Sequence, residues 1–160
     1  MSLMSRAFVK EQDGAEVFED LPDRPVSEHP NFVTPEGLAA IEEQLALAHR
    51  GYAQGQAAND RAALAKSSRD LRYWTSRRAT AQVIHPPVDK DHVHFSSQVT
   101  IEHTDGRRQS WRIVGEDEAD PAQGSLSHVS PLARAMFGKA VGDAVKAGNS
   151  EAEIVEIRAG

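Results

Sequence analysis

Residues 34–83 decide the fold of this chain, and they read TPEGLAAIEEQLALAHRGYAQGQAANDRAALAKSSRDLRYWTSRRATAQV. Apolar and small side chains recur in the first half at alternating spacings of three and four residues, which is typical of a helix that packs along a narrow stripe. The members of this seam are Leu38, Ile41, Leu45, Ala48 and Tyr52. A returning seam in the second half consists of Leu64, Leu71, Trp74 and Ala81. The pattern predicts two helices that fold back on each other.

Capping residues set the predicted ends of these helices. Thr34 is a good N-cap, and Pro35 suits the first helical position because its missing N–H has no partner to lose there. Gly37 occupies the third helical position, so the first helix lacks the Glu or Gln of a reciprocal capping box. Either Asn59 or Asp60 is placed to cap the second helix. We therefore expect helices over residues 35–57 and 60–80.

The composition predicts a small core with an elongated part attached. Only 39% of the 160 residues are hydrophobic and 6% are aromatic. The absence of cysteine excludes a disulfide framework or a thiolate metal site, and it fits a reducing cytoplasm. No apolar run approaches the ~20 residues of a membrane span, and the N-terminus lacks a signal-peptide pattern. We expect a soluble, cytoplasmic protein that does not bind membranes.

The net charge of −6 is unevenly distributed along the chain. Residues 1–33 carry seven acids and three bases, which together with the prolines predicts a flexible acidic, Pro-rich tail over residues 1–30. The second helix is basic. Its cations are a candidate contact strip for nucleic acid or an acidic protein surface, and the alternative is a solvated helix face. The candidates for contact are Arg61, Lys66, Arg69 and Arg72, with Arg77 and Arg78 beyond them.

From Val93 onward the pattern is typical of strands, and it predicts a compact α+β domain over residues 85–160. Residues 104–107 (TDGR) indicate a hairpin turn between two strands. A short strand is expected near residues 125–128, followed by one short helix that Ser130 caps and Pro131 opens. Residues 144–147 and 152–157 are expected to form a closing hairpin. His92 and His94 would share one face of a strand, but no third ligand is evident, so we expect no metal site.

Two stretches of this region resemble the GreA/GreB family of bacterial transcription elongation factors. Residues 111–120 (WRIVGEDEAD) are similar to the family's Arg-Ile-Val-Gly motif and acidic loop, and residues 127–139 (SHVSPLARAMFGK) to its Ser-Pro-Leu-Ala-Arg helix. Residues 34–38 (TPEGL) resemble the opening of the family's coiled coil. The likeness covers roughly residues 31–157.

The resemblance implies an N-terminal antiparallel coiled-coil hairpin (residues 31–84) and an FKBP-like β-sheet domain with one short helix (residues 85–160). It also implies a regulator of transcription elongation that binds RNA polymerase at its secondary channel, with nascent RNA as a further candidate partner. Such a factor acts as a monomer through the polymerase and is not itself an enzyme. Any magnesium would be shared with the polymerase active site, with no cofactor of its own and only indirect contact with DNA.

The resemblance also identifies candidate contact residues. Those on the short helix are Ser130, Pro131, Ala133 and Arg134, and those in the acidic loop are Glu116 and Asp117. An exposed arginine at a helix start is well placed to meet a partner's carboxylate. The alternatives are that Ser130 and Pro131 only begin the helix and that the acidic loop is a solvated turn.

The predicted hairpin tip departs from the family pattern. The family places a pair of acids at the tip, where they help to hold magnesium beside the polymerase active site. Here Asp60 is the only carboxylate between Glu43 and Asp70, and a helix cap is its simpler role. The hairpin is also shorter than the family pattern. We therefore expect stimulation of transcript cleavage to be impaired, with two alternatives: an active cleavage factor that uses Asp60, or an FKBP-like proline isomerase or chaperone.

Overall fold

The structure is a computed structural model that describes residues 21–160. The first twenty residues of the predicted tail therefore lie outside the described residues. The helices are α1 (Pro35–Ala57), α2 (Arg61–Thr80) and α3 (Pro131–Met136), and a 3-10 turn spans Pro121–Gln123. The strands are β1 (Phe32–Val33), β2 (Gln82–Val83), β3 (Gln98–His103), β4 (Arg108–Val114), β5 (Ser125–Ser127), β6 (Ala144–Ala147) and β7 (Ser150–Arg158). The predicted class of mixed helix and sheet is confirmed, and both long helices agree with their predicted bounds.

The chain divides into two compact units. One unit, which we call the hairpin unit, contains the described residues 21–27 and 41–80. The other, the sheet unit, contains residues 28–40 and 81–160. The first six residues of α1 thus group with the sheet unit, and the remainder of that helix belongs to the hairpin unit.

Within the hairpin unit, α1 and α2 lie side by side and run in opposite directions. Near the turn, Gly55 of α1 lies against Leu64 of α2, and further from it Gly51 lies against Ser67. Towards the far end, Arg78 of α2 forms an ion pair with Glu42 of α1 at 2.9 Å. The predicted first seam is confirmed, because its members are buried or half-buried and their flanking residues are mostly exposed.

The predicted returning seam omits the most deeply buried positions of α2. Leu64, Leu71 and Trp74 are half-buried, whereas the fully buried positions of α2 are Ala65, Ser67 and Arg77. The physical reason is the close approach of the helices: a Cβ atom added at Gly51 would lie 2.7 Å from the hydroxyl oxygen of Ser67. Small side chains fit such an approach and large ones are pushed to its margins.

The sheet unit contains a five-stranded sheet with the order β5-β4-β3-β7-β6. The pairs β3–β4, β3–β7 and β6–β7 are antiparallel, and β5 pairs with β4 in parallel. The predicted turn between β3 and β4 is confirmed. Gly106 has a φ of 85° there, a conformation that favours glycine, and the Asp105 carboxylate accepts from the N–H of Arg107 at 2.9 Å.

The first strand of this sheet begins later than the alternation of apolar residues suggests. Val93 is buried, but its N–H donates to the carbonyl of Lys139, beyond α3, and not to a strand. Ser96 then adopts a φ of 76°, which interrupts an extended backbone before Gln98. The alternation of apolar residues therefore indicates that these residues are buried, but it does not show which backbone they pair with.

One hydrophobic core lies between the sheet and α3. Ile101, Ile113 and Ile154 come from the three central strands, and Ala133 and Met136 come from α3; none of the five is exposed at all. The remaining buried members are Val93, Val99, Leu126, Val145, Ala152 and Ile157. The predicted closing hairpin, β6 with β7, supplies one edge of this core.

A second, two-stranded sheet joins the start of α1 to the rest of the sheet unit. β1 and β2 pair in parallel, with Phe32 opposite Gln82. The ring of Phe32 packs edge-on against Phe95 at 6.1 Å and lies 5.3 Å from the imidazole of His128, between ring centroids. These contacts fix the backbone that leads into the N-cap of α1.

Candidate functional site

The short helix α3 presents two of its predicted contact residues to solvent. The Ser130 hydroxyl accepts from the N–H of Ala133 at 3.3 Å, so Ser130 is the predicted N-cap. Pro131 and Arg134 are exposed. Arg134 lies in the last turn of this six-residue helix and not at its start as predicted, and the opposite face of the helix is anchored in the core. This arrangement suits recognition of a carboxylate on a partner.

Ala133 is placed differently from the prediction. Its side chain is fully buried in the core beside Met136, so it cannot contact a partner directly. A small residue at this position lets α3 lie close to the sheet. Ala133 therefore positions α3, and with it Arg134, instead of forming part of the exposed surface.

The acidic loop is not simply a solvated turn, because Glu118 closes the N-terminus of α1. One oxygen of the Glu118 carboxylate accepts from the backbone N–H of Thr34 at 3.0 Å and from that of Gly115 at 3.0 Å. The other oxygen accepts from the Thr34 hydroxyl. Glu116 and Asp117, the predicted contact residues, are half-buried, and each has an interaction of its own.

Glu118 completes a capping box from a distant part of the sequence. The Thr34 hydroxyl accepts from the N–H of Gly37 at 3.0 Å, as an N-cap should, while the N–H of Thr34 goes to Glu118. The carboxylate occupies the space in which a side chain at position 37 would begin, since a Cβ atom there would overlap it. Gly37, which cannot supply the acid of a capping box itself, therefore makes room for the Glu118 carboxylate that completes the box.

The hairpin tip carries a single carboxylate, and that carboxylate caps a helix. Asn59 turns the chain with a φ of 50°, and the Asp60 side chain then accepts from the N–H of Ala63 at 3.1 Å. This hydrogen bond confirms the predicted capping role. Within residues 44–69 no other Asp or Glu is present in the sequence.

The predicted basic positions of α2 differ in their surroundings. Arg61 is exposed at the start of the helix, and Arg69 is half-buried. Lys66, whose side chain is 70% exposed, lies 3.4 Å from the carboxylate of Asp70 one turn later. Arg72 forms an ion pair with Asp23, a residue of the predicted tail. The strip is thus neither a uniform row of solvated cations nor a continuous free surface.

Comparison with known proteins identifies the family. The family model for the C-terminal part of the transcription elongation factors GreA/GreB matches residues 88–159. Transcription elongation factor GreB of Pasteurella multocida is 31% identical over 135 residues, covering 72% of this chain and 85% of that protein. This chain belongs to the GreA/GreB family. GreA of Desulfovibrio desulfuricans is 37% identical over 114 residues, covering 69% of each chain.

Solved structures of the family are similar at low identity. Gfh1 of Thermus thermophilus is 19% identical, with a TM-score of 0.41, and covers 81% of this chain and 99% of its own. A GreA/GreB factor from Nitrosomonas europaea is 18% identical, also with a TM-score of 0.41, and covers 79% and 98%. Membership of the GreA/GreB family therefore rests on the sequence relatives. Within residues 21–160, no helix of this family member has the length and apolar character that crossing a membrane requires.

In this GreA/GreB family protein, His92 and His94 both contact a carboxylate. His94 Nε2 lies 2.8 Å and His92 Nδ1 3.2 Å from the same oxygen of Asp89. Neither histidine is in a strand, so the predicted shared face does not form. No three His, Cys, Asp or Glu side chains in the described part of the chain are arranged to hold a metal ion.

We expect Asp89 to titrate well below an ordinary aspartate. The hydrogen bond from His94, followed by one from the N–H of Asp91, lowers the pKa of Asp89 from 3.8 to about 2. Because the folded-state pKa is depressed, the ionised carboxylate contributes to stability at pH values above about 4, and this contribution is lost as the pH falls towards 2. Carbon NMR of the Asp89 carboxyl should show this low midpoint, and His94→Ala should raise it. A midpoint near 3.8 in the unaltered protein would contradict the hydrogen bonding described.

We expect Asp60→Ala to loosen the start of α2. Loss of an N-cap costs about 1 kcal/mol, so the amide of Ala63 should exchange its hydrogen several-fold faster. Asp60→Asn retains the acceptor and should change the rate little. Native-state hydrogen exchange measures both variants. Unchanged protection in Asp60→Ala would show that the tip does not depend on this cap.

Proposed function

We propose that this GreA/GreB family protein binds bacterial RNA polymerase at its secondary channel and regulates elongation without stimulating transcript cleavage. The composition of the hairpin tip is the observation from which we infer that transcript cleavage is not stimulated. Asp60, its only acid, is engaged as a helix cap. Membership of a family of elongation factors supports the first part.

The two helices correspond, in this proposal, to the family's antiparallel coiled coil over residues 31–84. The sheet domain over residues 85–160 corresponds to its FKBP-like domain. Opposed pairs along the helices, such as Gly51 with Ser67 and Glu42 with Arg78, support the first assignment. The family match to residues 88–159 supports the second.

The polymerase-binding surface, as we propose it, centres on α3. Arg134 supplies the exposed charge, and Ser130 and Pro131 fix the direction in which the helix leaves the sheet. Glu116 and Asp117 extend this surface on the acidic loop, whose position Glu118 fixes through its bonds to Thr34 and Gly115. A charged group on a rigid helix recognises a partner without a large loss of side-chain entropy.

A tip with one carboxylate is a poor ligand set for a catalytic metal. Magnesium is held by oxygen ligands, and in the family a pair of acids supplies them. Here only one acid is present, and one of its oxygens already accepts a backbone hydrogen bond. The match to the P. multocida GreB spans 135 aligned positions but only 72% of this 160-residue chain, so that relative contains residues that this chain lacks.

The protein, on this proposal, has no active site or cofactor of its own, and any magnesium belongs to the polymerase. The alternative of an active cleavage factor that relies on Asp60 is not favoured, because the tip offers no second acid. The isomerase alternative has no support among the relatives, which are elongation factors. We further propose a cytoplasmic monomer in which the basic face of α2 approaches nascent RNA.

Competition with an active factor tests this proposal. If the protein occupies the secondary channel, adding it in excess should slow the transcript cleavage that GreB stimulates in stalled polymerase complexes. The protein should also co-purify with core polymerase. Co-purification without competition would place the binding site elsewhere on the polymerase, and failure of both would reject polymerase binding.

A further inference from the structure

Residues 21–24, which we call the strap, lie along α2 although the sequence predicted a flexible tail there. The guanidinium carbon of Arg24 lies 3.8 Å from the centroid of the Tyr73 ring and 5.3 Å from that of Trp74. Arg24 also forms an ion pair with Asp70 at 3.9 Å. The cation thus covers two aromatic rings that pack edge-on against each other, with centroids 4.9 Å apart.

The strap also forms hydrogen bonds with Arg72, one of the basic residues of α2 predicted to contact a partner. Arg72 Nε donates to the carboxylate of Asp23, and Arg72 Nη2 donates to the carbonyl of Leu21 at 3.3 Å. The Arg72 side chain remains 48% exposed, so these bonds cover one part of it and leave the rest in solvent. An acid and a carbonyl of this chain therefore take the positions that phosphate oxygens would take on a bound RNA.

Charge complementarity fixes the register of the strap. Its acid, Asp23, meets a base of α2, and its base, Arg24, meets the one acid within α2, Asp70. A shift by one residue would place like charges together, which is unfavourable. Each contact is nevertheless a weak surface interaction, so a competing ligand is able to displace the strap.

We propose that the strap is an intramolecular cover that competes with single-stranded RNA for Arg72 and the adjoining rings of Tyr73 and Trp74. This inference rests on the proposed function, in which α2 approaches nascent RNA. When the strap lifts, Arg72 becomes available to a phosphate, and the exposed ring faces offer a surface on which bases stack. Binding of RNA to α2 is thereby weakened until the strap is displaced.

The test is the affinity of the full chain for a labelled oligouridine, measured by fluorescence anisotropy. The double variant Asp23→Ala with Arg24→Ala removes the side-chain contacts of the strap with α2 without changing the net charge. It should bind the oligonucleotide about threefold to tenfold more tightly, the size expected when a few weak surface contacts no longer compete. Adding Arg72→Glu should abolish this gain.

A matched control separates release of the strap from a general loss of surface charge pairs. Glu156→Ala with Arg158→Ala removes another exposed ion pair, on β7, and should leave the affinity for oligouridine unchanged. An unchanged affinity in the strap variant, or an equal gain in the control, would overturn the proposal. Co-purification of the same variants with core polymerase is scored separately. If polymerase binding persists while the strap variant shows no gain, the cover is rejected and the proposed function stands.

Discussion

Glu118→Ala is expected to lower the free energy of unfolding of the sheet unit by about 2–4 kcal/mol. The substitution removes the acceptor for the N–H groups of Thr34 and Gly115 and for the Thr34 hydroxyl. Because Thr34 and Gly115 are buried, their donors would lose a charged partner in a place that water enters with difficulty. Urea unfolding monitored by circular dichroism measures the change. Glu153→Ala, at an exposed position of β7, should change the stability by much less.

A double-mutant cycle with Gly37 tests the same contact more sharply. Gly37→Ala alone should destabilise the protein, because its Cβ atom would overlap the Glu118 carboxylate. With Glu118→Ala present, that overlap disappears, and Gly37→Ala should become neutral or stabilising by up to about 1 kcal/mol, since alanine favours the helix over glycine. Additive effects of the two substitutions would show that Glu118 does not complete the cap of α1.

Arg134→Glu is expected to weaken binding to core RNA polymerase by at least about tenfold, because it reverses a charge at the centre of the proposed contact surface. Arg134 is exposed in the last turn of α3, so the variant should unfold at nearly the same denaturant concentration as the unaltered protein. Binding is measured by titrating labelled protein with polymerase at constant salt, since charge contacts depend on ionic strength.

Lys146→Glu is the matched control for that variant. Lys146 is exposed on β6, and its substitution makes the same change in net charge at a position outside the proposed surface. It should retain near-normal affinity. Equal losses in the two variants would indicate a general electrostatic attraction to the polymerase, and normal affinity of Arg134→Glu would remove α3 from the binding surface.

Local chemistry made the helix and turn signals predictable from the sequence. Thr34 and Asp60 each cap a helix as expected, because a side-chain oxygen there satisfies a backbone N–H that the helix itself leaves without a partner. Ser130 caps α3 in the same way. These interactions join residues three apart in the chain, so their signature is contained in a few consecutive letters.

Contacts between distant residues were not predictable by the same reasoning. Glu118 lies 84 positions from Thr34, and nothing near either residue shows that they meet. The one available signal was Gly37, which stands where a capping box would have an acid and so suggests that another group fills the space. Likewise, the contact of Asp23 with Arg72 depends on where the tail crosses α2, which local propensities do not determine.

Two residues, Ala133 and Val93, show that a sequence pattern does not determine which groups a buried residue contacts. Ala133 belongs to the motif that carries the family resemblance, but its side chain is buried in the core and it acts by positioning α3. Val93 is buried as the apolar pattern predicts, yet it pairs with the backbone after α3 and lies outside β3. An apolar pattern shows that a residue is inside and does not identify its neighbours.

Transcript cleavage in backtracked elongation complexes tests the central claim most directly. RNA shortening is followed over time with polymerase alone, with this protein and with an active GreB. We predict that the protein leaves the rate at the level of polymerase alone, because the hairpin tip has one carboxylate and Asp60 uses it to cap α2. Rapid shortening that Asp60→Ala abolishes would contradict the account.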